Sequence, residues 1–202
     1  MTSSTAVGTR WPVLADTIPG ERARDTVLVV SGALLTALLA QVAVHVPPSP
    51  VPVTGQTLAV VIVGATLGAR RGAFALFLYL LLGLVFPFYA DGASGPSVLW
   101  GASGGYLIGF VLAAGVSGFV AERGADRKVI SAFLAFAAGQ LVVFAFGLAG
   151  LKLATGETWT WTIHNGFTIF IFGGLVKAAI GALALPSAWR LVRRVDTRWP
   201  GD

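Results

Sequence analysis

Chemistry would be expected first at a lysine set in an otherwise uncharged stretch. Lys177 separates the runs 158–176 and 178–189, neither of which holds an Asp, Glu, Lys or Arg. If a helix spans 164–189, Lys177 lies roughly 18 Å along it at about 1.5 Å per residue. A cation buried at that depth costs at least about 2.5 kcal/mol and by default marks a functional site. The competing reading is a side chain that snorkels to an interface, for which mid-span is a poor position. Lys177 therefore reads as a substrate contact. A second group lies in three connections between apolar runs. Residues 50–56 read Pro-Val-Pro-Val-Thr-Gly-Gln and end on Gln56. Residues 87–92 carry Tyr89 and Asp91, with Trp100 following. Residues 159–165 carry Trp159, Trp161, His164 and Asn165. Aromatic walls with a few polar groups build small-molecule pockets. Aromatics at a bilayer edge also form interfacial belts, the reading preferred for Trp159 and Trp161. Asp91 is either a ligand contact or a solvated loop acid. Tyr79, Tyr106 and Gln140 fall inside apolar runs, where each needs a hydrogen-bond partner. A helix-helix bond and a pocket donor both satisfy that need, and the sequence leaves both open.

The missing chemistry narrows the function. There is no Gly-x-x-x-x-Gly-Lys-Ser/Thr phosphate loop, so the chain is not its own ATPase by that route. Paired intramembrane carboxylates and a Ser-His-Asp constellation are also missing. With no Cys and only His45 and His164, no metal site is expected, and no cofactor. The chain does not read as an enzyme.

These residues must be positioned by helices in lipid. Mean hydropathy is +0.80 and only 11% of residues are charged. Stretches 26–69, 72–90, 92–121, 129–151, 158–176 and 178–189 lack any Asp, Glu, Lys or Arg. A hydrocarbon core about 30 Å thick needs roughly 20 such residues per helix. The pattern predicts helices near 27–46, 55–69, 72–87, 99–121, 128–153 and 164–189. Pro47, Pro48, Pro50 and Pro52 stop the first, Arg70-Arg71 turns the second into the third, and Pro87 ends the third. Of 14 Lys and Arg, 12 lie at both ends of the chain, in the 70–71 turn and in the 123–128 loop. The positive-inside rule then places both termini in the cytoplasm. The expected fold is an all-α integral membrane protein, a six-transmembrane-helix bundle with N-in/C-in topology in the plasma membrane. Residues 1–25 are a cytoplasmic tail, 26–190 the membrane domain and 191–202 a second cytoplasmic tail. The net charge of +5 sits on short loops and tails rather than on a folded patch. It serves topology and the anionic headgroups of the lipid bilayer, not nucleic acid.

Ala33, Ala37 and Ala40 recur at helical spacing along the first helix. Small residues let helices approach closely in lipid. The stripe is either an intramolecular packing face or a docking face for a partner.

Several blocks together resemble the BioY family, the biotin-binding S component (substrate-binding subunit) of energy-coupling factor (ECF) transporters. They are Pro-Val-Pro-Val-Thr-Gly-Gln-Thr-Leu-Ala (50–59), Leu-Gly-Ala-Arg-Arg-Gly (67–72), Tyr-Leu-Leu-Leu-Gly (79–83), Pro-Phe-Tyr-Ala (87–90) and Gly-Ala-Ser-Gly-Gly-Tyr-Leu-Ile-Gly-Phe (101–110). Gly-Gly-Leu-Val-Lys-Ala (173–178) continues the match more weakly. The blocks run in family order and cover most of 30–185. The resemblance implies a six-helix bundle that takes up biotin, with Lys177, Asp91, Tyr89, Trp100, Tyr106, Tyr79, Gln56 and Asn165 as candidate ligand contacts. It implies a transmembrane coupling subunit and two ABC-type ATPase subunits as partners, with Ala33 and Ala37 as the docking face. Gly174 stands where the family pattern has Asp, and Ala102 where it usually has Pro. Either another acid such as Asp91 replaces that Asp, or the ligand is a different vitamin or small metabolite. An assembly subunit without a ligand is the remaining alternative.

Overall fold

The computed structural model describes residues 11–20 and 22–195. Arg10, Glu21, Arg198 and the far ends of both predicted tails lie outside the described residues. The chain is built almost wholly from helices. α1 is Arg22–Ala40, α2 Gln56–Leu67 and α3 Ala69–Gly83. A short α4, Pro96–Trp100, leads into α5, Gly104–Ala121. α6 is Val129–Thr155, α7 Trp159–Gly166 and α8 Ile171–Val195. Among the described residues, four stretches are long and apolar enough to cross a membrane: α1, α5, α6 and the joined α7–α8. α2 and α3 have 12 and 15 residues, about 18 and 23 Å long. The outer surface carries large apolar side chains, among them Leu38, Phe74, Leu134, Leu141 and Phe172, all more than half exposed. Such a surface belongs against lipid rather than water.

Several boundaries differ from the sequence reading. The third helix runs Ala69–Gly83 rather than 72–87, so Arg70 and Arg71 lie in its first turn rather than in a loop, and it ends before Pro87. The first helix ends at Ala40 instead of running to 46. Beyond it, β1 (Ala43–Val44) pairs antiparallel with β2 (Val53–Thr54), in register Ala43 with Thr54 and Val44 with Val53. This ladder draws the β-branched residues around the proline segment out of the helix. The fourth long helix starts at Gly104, because α4 is a separate turn begun by Pro96. The last helix is interrupted at Phe167–Phe170, where Phe167 has φ −133° and ψ −56°. Lys177 is therefore only about six residues, roughly 9 Å, into the continuous α8.

α5 is the central post and packs against α2, α3 and α6. Glycines permit this at near-contact distance. A Cβ on Gly150 of α6 would lie 2.5 Å from the Gly105 Cα of α5, and one on Gly64 of α2 would lie 2.3 Å from the Ala114 oxygen. Dispersion contacts between backbones replace the hydrophobic drive that lipid does not supply.

The small-residue stripe of α1 faces inward. Ala33 and Ala37 are only 1% and 6% exposed, and the neighbouring Gly32 would meet Val63 and Ala75 with any Cβ. Within this chain the stripe therefore packs against α2 and α3. The outward face of α1 carries Val27, Val30, Leu34 and Leu38.

At the end rich in basic residues, residues 11–18 of the predicted N-terminal tail pack onto the bundle. Val13 is fully buried, and the Trp11 amide donates to the Glu122 carbonyl at 2.9 Å. The Arg127 guanidinium lies over the Trp11 and Trp189 rings, 4.9 and 4.0 Å from their centroids. Arg71 pairs with Asp16 and Asp25, and the Ala69 amide donates to the Glu122 carboxylate at 2.8 Å.

Candidate ligand-binding site

A cavity of about 220 Å³ opens at the other end of the bundle. Its rim comes from the strand connections and the 88–93 loop. Its floor and walls come from α2, α5, α6 and α8. Each wall is fixed by a distinct local device.

The polar wall forms where β2 runs into α2. Lys177 Nζ donates to the Thr54 carbonyl at 2.7 Å and to Thr57 Oγ1 at 2.9 Å. The cation is thus held by one oxygen of β2 and one of α2 rather than snorkelling outward. Beside it, Thr54 Oγ1 donates to Gln56 Oε1 at 2.8 Å, and Gln56 Nε2 donates to the Tyr79 hydroxyl at 2.6 Å. Tyr79 in turn donates to the Phe88 carbonyl at 3.1 Å. A chain satisfied in this way holds the Gln56 side chain rigid at the cavity wall.

The aromatic floor is formed by Tyr106, Phe144 and Phe170. Tyr106 stacks on Phe170 with centroids 6.2 Å apart and meets Phe144 edge-on at 6.4 Å. Its hydroxyl donates to the Gly166 carbonyl at 2.7 Å. The ring occupies space that Gly147 leaves open, since a Cβ there would lie 2.2 Å from it. The break before α8 carries Phe170 into this floor. Flat apolar rings beside a cation and fixed hydrogen-bonding groups suit a ligand with an apolar body and polar ends.

Five of the eight residues expected at the site line this one cavity: Lys177, Asp91, Tyr89, Tyr106 and Gln56. The other three do not. Tyr79 is fully buried behind Gln56. Trp100, at the end of α4, is 85% exposed and does not line the cavity. Asn165 is buried in α7, where its Nδ2 donates to the Trp161 carbonyl and its own carbonyl accepts from Ser49. Trp159 is 56% exposed, and Trp161 is partly buried against the core.

Sequence reasoning missed His45, Thr54, Thr57, Phe144 and Phe170. Thr54 and Thr57 both lie in the 50–59 stretch that carries the family resemblance. The two Phe carry no signal among the chain's 13. Gln140 lines a neighbouring cleft between α6 and α8 rather than the cavity. Its Nε2 donates to the Gly174 carbonyl at 3.3 Å. A Cβ on Gly174 would lie 3.2 Å from that nitrogen, so Gln140 fills the space beside Gly174.

A helical membrane bundle with an aromatic-floored cavity beside an intramembrane cation defines a class: a membrane subunit that binds a small molecule. Residues 8–194 match the model of the BioY family, and the chain belongs to that family. It is 38% identical over 157 residues to biotin transporter BioY2 of Lactococcus lactis, covering 76% of this chain and 83% of that one. It is 36% identical over 166 residues to biotin transporter BioY of Rhizobium etli, covering 74% and 88%. A crystal structure of the S-component for biotin from an ECF-type ABC transporter superposes with a TM-score of 0.76. That match covers 83% of this chain and 92% of the other, and at 18% identity it is a likeness of fold.

Proposed function

We propose that this chain is a biotin-binding membrane subunit that mediates biotin uptake as the S component of an ECF transporter. It is a transport protein and not an enzyme. The observation that carries the reading is the cavity itself, with Lys177 on one wall and the Tyr106–Phe144–Phe170 floor opposite, in a chain of the BioY family. Biotin has an apolar bicycle and tail for the rings, a ureido group that both donates and accepts, and a carboxylate. Lys177 pairs with a ligand oxygen, which offsets the cost of burying the cation.

The membrane arrangement supporting this function has six spans, with α2 and α3 joining the four longer ones. Both termini and the Arg-rich loops face the cytoplasm, which the distribution of Lys and Arg supports. Energy comes from a transmembrane coupling subunit and two ABC-type ATPases, since the chain has no phosphate loop of its own. Gly174 favours one second reading, an S component for another vitamin or small metabolite. Titration of the full-length protein in nanodiscs with biotin, beside a panel of other vitamins, decides between them. Saturable binding of biotin in preference to the panel is expected. Failure to bind biotin refutes the assignment, and tighter binding of another vitamin establishes the second reading.

A further inference from the structure

The mouth of the cavity is framed by two connections far apart in sequence, and an ion pair spans them. His45 directly follows β1, and Asp91 sits in the 90–92 turn. His45 Nε2 lies 3.1 Å from Asp91 Oδ2, with the side chains 62% and 48% exposed. Both residues line the cavity. Gln41 ties the same two connections together. Its Nε2 donates to the Tyr89 carbonyl, and its Oε1 accepts from the Gly92 amide, each at 3.1 Å. Between those bonds Asp91 is held at φ 58°, alone in the left-handed region among the described non-glycine residues. A residue with a side chain rarely adopts that conformation unless its surroundings impose it.

We propose that His45 and Asp91 are a positioning pair that latches these two connections across the mouth and sets how fast the ligand leaves. The proposal rests on the biotin reading and gives Asp91 a role as partner of His45 rather than ligand contact. Imidazole gains its charge between about pH 8 and pH 5. Protonated His45 makes a charge-assisted bond to ionised Asp91, stronger than the bond of the neutral ring. It also compensates the Asp91 charge that would otherwise repel an anionic ligand at the rim. Both effects act in one direction, so the ligand is held longer at lower pH. The other titratable groups lining the cavity are Lys177, Tyr89 and Tyr106. Lys152 of α6, Glu157 of the α6–α7 connection and His164 of α7 are not among its lining residues. Any response of Lys177 is common to wild type and rim variants, so comparing them isolates the pair.

The test measures release of labelled biotin from the full-length protein in nanodiscs at about pH 5.5 and about pH 8, either side of the imidazole range. Wild type should release biotin about 2- to 5-fold more slowly at the lower pH, the range of a half-exposed ion pair. His45→Gln and Asp91→Asn should lose that dependence, and His45→Lys should release slowly at both. A second arm needs no ligand. The chain has no cysteine, so spin labels introduced at Val44 and Ser94 report the spacing of the two connections. Their distance distribution should narrow at the lower pH in the wild-type background and not with Asp91→Asn. If wild type binds no biotin, the biotin reading fails and the spacing arm alone decides the latch. An identical pH response in wild type and Asp91→Asn, in either arm, overturns the proposal.

Discussion

Replacing Lys177 with Met removes the one intramembrane cation of the cavity while keeping a long, flexible apolar side chain. Lys177 makes two hydrogen bonds, to the Thr54 carbonyl and the Thr57 hydroxyl. Losing two bonds to a charged donor costs about 3–6 kcal/mol at typical strengths. Removing a charge from within the membrane returns a few kcal/mol. The stranded oxygens also border the cavity, where water can pair with them. These changes nearly cancel, so the melting temperature in detergent should move by only a few degrees. Binding has no such compensation. A lost charge-assisted contact to the ligand costs about 1.5–3 kcal/mol, which raises Kd roughly 10- to 150-fold. Isothermal titration of wild type and Lys177→Met with biotin reads this directly. Equal affinities would refute the placement of Lys177 at the ligand. A variant that fails to fold would refute the cancellation and make Lys177 a structural residue.

Further consequences follow from packing and exposure. Ala33→Trp with Ala37→Trp should lower folded yield and biotin binding together, because both positions face inward. A double variant that folds and binds normally but fails to join a coupling subunit would show that this face is open to a partner. Gly150→Leu should destabilise the protein by at least about 2 kcal/mol in thermal melts, since the side chain has no space beside Gly105. Trp100→Ala, at an 85% exposed position, should leave the biotin Kd within about 2-fold, the usual range of surface changes.

Much of this protein was legible in the linear chain. Uncharged runs of helical length in lipid leave the backbone little choice but to satisfy its own hydrogen bonds, so helices in a membrane followed from composition. Lys177 was legible as well, because a charge in such a run has few explanations. Tyr106 and Gln56 stood out as polar groups near apolar runs. The direction that a helix turns was not legible. α1 is apolar on every side, so its sequence does not tell a lipid-facing side from a packed one, and only its neighbours α2 and α3 determined that Ala33 and Ala37 face inward. The break before α8 was equally hidden, since Phe167–Phe170 is as apolar as the helices it separates. The partners of Lys177 lie at residues 54 and 57, and that of His45 at residue 91. Residue type and composition, acting through local hydrogen bonding and transfer to lipid, determined that this chain is a helical membrane protein with a lysine set in an uncharged run. Contacts between segments distant in sequence depend on how the helices pack, and only the tertiary structure decided which oxygens hold that lysine and which connections frame the cavity mouth.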